Sequence, residues 1–118
     1  MKAIVLSAIL TIPFSAAVSA QSTDQVEFPK SCSVTSASEI IRVVVCEDRD
    51  LDKLGLVQAG KAACEAVIPC GAWIWHDARM APGEAPENHD GLNQQQVVSS
   101  RAVWVAETES LIEISEVN

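Results

Sequence analysis

The sequence predicts an α+β domain, a two-layer sandwich of one helix on a small, mostly antiparallel sheet in the order β-α-β-β-β, stabilised by disulfides. Three observations carry this expectation. Residues 40–46, IIRVVVC, form a β-branched run bounded by an acidic cluster. A helical period follows from Asp50, and four cysteines, Cys32, Cys46, Cys64 and Cys70, lie in the stretch after residue 20.

That stretch is set apart by what precedes it. Residues 1–20, MKAIVLSAILTIPFSAAVSA, begin with Lys2, continue as an apolar run from Ala3 to Ile12, and end in the small residues Val18-Ser19-Ala20. This is the layout of a secretory signal peptide. The apolar run falls short of the about 20 residues of a membrane span, so cleavage is expected to leave no stable membrane anchor. The expected product is periplasmic or secreted and runs from Gln21 to Asn118, 98 residues, enough for one small domain. We divide it into a flexible arm over 21–38, able to fold as a hairpin, and a domain over 39–118.

In chain order, residues 21–31 are polar and end on Phe28-Pro29, which cannot continue a helix. In 40–46 the polar member Arg42 predicts that Ile41, Val43 and Val45 face the core. From Asp50, a suitable N-cap, small and apolar residues recur at helical steps: Val57, Gly60, Ala63, Cys64 and Val67. Gly60 and Ala63 let such a helix lie close to a sheet, and Pro69 and Gly71 end it. Residues 72–76, AWIWH, alternate as a strand. Residues 77–93 hold two Ala-Pro pairs and an Asp90-Gly91 turn signal but no apolar period, an unusually long connection for a small domain. Residues 97–106 predict a strand centred on Ala102 to Ala106, and 111–114, LIEI, a last one.

Two cysteine pairs in an exported domain of this size read as two disulfides. A helix of about 17 residues is about 25 Å long, so it separates Cys46 from Cys64 and Cys70. Cys64–Cys70 is then the local pair. Cys32 reaches Cys46 if the chain turns back over Ser36-Ala37-Ser38.

Composition restricts partners. Without residues 1–20 the chain keeps seven basic and 16 acidic residues, a net charge of −9. Nucleic acid is excluded as a natural partner, since its binding relies on Lys and Arg at phosphates. No CxxC suggests redox work and no GxSxG supplies an activated serine, so the reading leans away from an enzyme.

Three features remain as candidate sites. The His76-Asp77 and His89-Asp90 dipeptides flank the long connection, and its closure would bring His76, His89, Asp77 and Asp90 together as ligands for a metal ion, the one cofactor the sequence suggests. Trp73 and Trp75 share a strand face, and Trp104 falls on the opposite one if Val103 and Val105 look inward. One helix covers one face only, so tryptophans on the other face would form an exposed binding patch, with Trp104 the leading member. The competing expectation is that all three fill the core. The 77–93 loop is the third candidate, as a working surface on a rigid scaffold. These features lead to an exported, non-catalytic binding or accessory domain acting on an extracytoplasmic protein or a small ligand. The alternatives are a periplasmic metal-binding protein using His76 and His89, or a small exported enzyme or inhibitor.

Overall fold

The computed structural model describes residues 27–114; the expected signal peptide over 1–20 and residues 21–26 of the expected arm lie outside them. Five strands form one sheet in the order β1-β2-β3-β4-β5: β1 Cys32–Ala37, β2 Ile41–Cys46, β3 Gly71–Trp75, β4 Ala102–Val105 and β5 Ser110–Glu113. All neighbours are antiparallel except β2 and β3, which run parallel with Val43 opposite Trp73 and Val45 opposite Trp75. The main helix, α1 Lys53–Cys64, makes the crossover between these parallel strands. The α+β expectation holds.

Both disulfides form in the expected pairing, Cys32–Cys46 and Cys64–Cys70. The first ties β1 to β2 where the two strands are in register. Part of the expected arm is therefore an edge strand. Ahead of it, Phe28 packs against the helix-side core and the Gln58 amide donates to the Glu27 carbonyl at 2.6 Å.

The helix is shorter than its sequence pattern suggests. Its N-cap is Asp52, whose carboxylate accepts the Gly55 N–H at 2.9 Å. Asp50 instead sits in a turn closed by Asp48. At the other end Glu65 takes φ 56° and the chain leaves the helix inside the Cys64–Cys70 loop, so Val67 lies beyond it and is exposed. The buried face is Leu56, Ala59, Gly60, Ala63 and Cys64.

That face packs on Val44, Ala72, Ile74, Ala102 and Trp104. The expected facing of β4 is thus reversed. Trp104 lies under the helix and Val103 looks to the other side, with Ile41, Val43, Trp73 and Trp75. Gly60 explains the choice: a Cβ there would overlap the Trp104 side chain, so a small residue on the helix and a large one on the sheet fit together.

The second face of the sheet is covered too. Residues 76–101 leave β3, cross this face and return to β4. They contain two 3-10 turns, Ala78–Met80 and His89–Gly91, and a short helix, α2 Gln94–Ser99. The sequence expectation of a strand from residue 97 is corrected here. Asn93 and Gln96 form a capping box, each side chain bonding the other's backbone N–H. Two satisfied N–H groups fix a helix start, and this local geometry outweighs the β-preference of Val97-Val98. Leu92 is buried in a cluster with Ile41, Val43, Trp73, Trp75 and Val103, against which Ala81, Ala85 and Val97 pack.

Replacing Gly60 by Ala tests the helix–sheet contact. Helix propensity alone would gain about 1 kcal/mol, but forced overpacking costs about 1–3 kcal/mol. A lower urea midpoint with an unchanged slope is the expected result.

Candidate functional site

The covering segment is held by the tryptophans beneath it. The Trp73 indole N–H donates to His89 Nδ1 at 2.9 Å, and the Trp75 indole N–H donates to the Gln96 carbonyl at 3.0 Å. Gly71 gives the His89 ring its seat, because a Cβ there would collide with the imidazole. At the β1–β2 turn, Ser38 donates to the Pro86 carbonyl and Ser36 accepts the Ala85 N–H. The 77–93 connection is therefore a bonded cover.

This arrangement corrects two site expectations. The tryptophans form no exposed patch: Trp73, Trp75 and Trp104 are 7%, 0% and 4% exposed. The face left over by α1 has its own cover, which the absence of an apolar period in 77–93 concealed. Nor do the His-Asp pairs converge. His76 follows the C-terminal end of β3, whereas His89 lies over Gly71 at its start, five strand residues or about 16 Å away. Asp90 sits beside His89 in its exposed 3-10 turn, its N–H bound by Asn88. Among the described residues no group of three or more His, Cys, Asp or Glu is placed to hold a metal ion.

What the fold does assemble is a cleft at the neck of the covering segment, where its two ends meet. The Arg101 N–H donates to the Ile74 carbonyl at 2.6 Å, bringing the return of the segment beside its departure. His76, Asp77 and Met80 come from the exit of β3, Ser99 and Arg101 from the entry to β4, and Arg49 from the exit of β2. They line a cavity of about 330 Å³. The carboxyl ends of adjacent parallel strands are where α/β sheets commonly receive ligands, and β2 and β3 are the parallel pair among the described strands.

The chemistry of the lining follows from its contacts. His76 Nδ1 is 2.7 Å from the Cys46 carbonyl. A carbonyl only accepts, so the proton sits on Nδ1, leaving Nε2 as the open nitrogen. Asp77 is held by Arg79 through its Oδ1 to the backbone N–H and Nε, and its Oδ2 to Nη2 at 2.9 Å. These bonds, the side-chain one foremost, hold its carboxyl down at about 2, so Asp77 stays ionised at any physiological pH. Arg101 is partly covered and bonds Glu113 through Nη1 at 2.8 Å. The Arg49 side chain has no hydrogen bond or ion pair among the described residues. The Ser99 hydroxyl donates to the Gln96 carbonyl at 3.2 Å. All four cysteines are in disulfides.

Arg49, Arg101, Met80 and Ser99 were absent from the sequence-based candidates. Each is an isolated polar or flexible residue without a motif, and only chain closure places them together. His76 and Asp77 were singled out for metal binding and belong to this cleft instead.

No protein-family model matches the chain, and neither a curated protein nor a solved structure shows significant similarity to it.

At the far end of β3, Glu107 accepts the Cys70 N–H at 3.1 Å. That bond, with its own backbone N–H adding to it, lowers the Glu107 pKa from its ordinary 4.5. A carboxyl lowered on folding contributes stability above its unfolded pKa and loses it as pH falls through the folded one. Glu107→Gln should therefore lower the melting temperature at neutral pH and flatten its decline below pH 4.5, read by thermal denaturation across pH. An unaltered decline would remove Glu107 from this role.

Proposed function

We propose that this protein is an exported, non-catalytic binding domain whose ligand site is the cleft formed by Arg49, His76, Asp77, Met80, Ser99 and Arg101. The observation that carries the reading is the cleft's construction. Three loops converge at one end of the sheet, and both ends of the covering segment are fixed there by backbone pairing with β3 and β4. Small-molecule sites usually set a few polar groups in a mainly apolar lining. A small polar ligand suits this cleft, whose balance is the reverse, with Met80 the one apolar side chain among charged and polar ones. Its volume of about 330 Å³ lies at the lower end of the range for such sites, which favours a small ligand over a nucleotide-sized cofactor.

Export is supported by the leader-like residues 1–20 and by the two disulfides, which persist where thiols are oxidised. Among the described residues no helix is long and apolar enough to cross a membrane. A binding role is favoured over catalysis by the state of the potential nucleophiles. The cysteines are oxidised, and the Ser99 hydroxyl donates to the Gln96 carbonyl.

The test is a thermal-shift screen of small molecules against the protein expressed with its own leader and purified from the extracytoplasmic fraction. A ligand at 100 times its dissociation constant adds about 2.7 kcal/mol of stability. Met80→Trp, at a partly exposed position on the cleft wall, should abolish such shifts without altering the unliganded melting temperature. Hits should be recovered chemically unchanged. Shifts that survive this substitution would place the ligand elsewhere, and hits that are consumed would make the protein an enzyme.

A further inference from the structure

Basic side chains are gathered at the cleft of a chain whose net charge is −8, with Glu47, Asp48 and Asp50 flanking Arg49 in sequence. Two guanidinium groups, Arg49 and Arg101, line it together with an imidazole. Arg79 neutralises the one carboxylate in the lining, Asp77, in a forked ion pair, while its own side chain remains 88% exposed. Glu113 engages only one nitrogen of Arg101. Arg49 is the decisive residue, since its five N–H donors are unused among the described residues. A guanidinium fork matches two oxygens of a carboxylate or a phosphate in one plane. Met80 provides an apolar wall, and the volume of about 330 Å³ exceeds that of a lone inorganic ion.

We propose that the cleft is an oxyanion site that takes a small organic acid, a carboxylate or a phosphate monoester, with its anionic head held by Arg49 and Arg101 and its body against Met80. This rests on the cleft being the ligand site. The Asp77–Arg79 pair has a defined part in it: the arginine cancels a charge that would otherwise repel the ligand. The arrangement makes affinity dependent on ionic strength, because the cleft is open to solvent and its charges are screened.

The experiment is amide NMR titration of the disulfide-intact protein with four probes: benzoate, phenyl phosphate, the neutral isostere benzamide and inorganic phosphate. Benzoate or phenyl phosphate should shift resonances of residues 49, 76, 77, 80, 99 and 101, and which one binds tighter identifies the head group. Benzamide and inorganic phosphate should bind at least tenfold more weakly. Arg49→Gln should reduce affinity about tenfold, and Arg49→Lys should restore part of it. Asp77→Asn should tighten binding and Arg79→Gln weaken it severalfold, opposite effects that a purely structural role for the pair would not give. If benzamide binds in the cleft as well as benzoate, the oxyanion proposal falls while the cleft remains a ligand site. If no probe moves any cleft resonance, the proposal falls as well; if shifts gather on another face, both readings do.

Discussion

The constraint on which this structure depends is that β2 and β3 are apolar on both faces. Val44, Ala72 and Ile74 face one way, and Ile41, Val43, Trp73 and Trp75 the other. A single helix can cover only the first set. The second is covered, among the described residues, chiefly by the polar, proline-containing segment between β3 and β4, with Ile40 and Ile114 beside it. It brings few large side chains to the task. Leu92, Ala81, Ala85 and Val97 supply the apolar contacts, while the indole N–H groups of the two tryptophans anchor it through His89 and the Gln96 carbonyl. The tryptophans serve both as bulk and as attachment points, which suits a residue with a large apolar body and one polar donor.

The cleft is a consequence of that covering. A segment that leaves β3 and returns to the adjacent antiparallel β4 must begin and end at the same edge of the sheet, so its two ends face each other. Because β2 runs parallel to β3, its exit arrives at the same edge and contributes Arg49. The far end of the segment, at His89, is closed by packing over Gly71 and Trp73. One end of the cover is thus filled and the other open. Residues with similar chemistry, the two His-Asp dipeptides, are divided between them.

The two disulfides are placed where the sheet and helix need them. Cys32–Cys46 fixes an edge strand whose own side chains are largely exposed, and Cys64–Cys70 closes the exit from the helix next to the start of β3. In a domain of this size the hydrophobic core is small, and cross-links that restrict the unfolded chain supply a large share of the stability. A rigid frame is also what a binding cleft assembled from loops requires, since each loop is only as well placed as the strand end it leaves.

Elements with a clear local signal are legible in the chain alone. The β-branched run of β2, the small-residue face of α1, the alternation of β3 and the pairing of the cysteines followed from periodicity, chain length and the reach of a helix. The shared face of Trp73 and Trp75 was equally legible, because strand side chains alternate, whereas the facing of Trp104 follows from the pairing of β3 with β4. The face that α1 occupies is set by packing and not by local pattern, because Gly60 fits against Trp104 on one side of the sheet. The cover over the second face was hidden as well. Its stability comes from bonds to residues distant in sequence, which leave no period in 77–93, and from an Asn93–Gln96 capping box obscured by Val97-Val98. The cleft was legible only as His76-Asp77. Arg49, Met80, Ser99 and Arg101 carry no spacing signal, because chain closure, and not local pattern, brings them to one place.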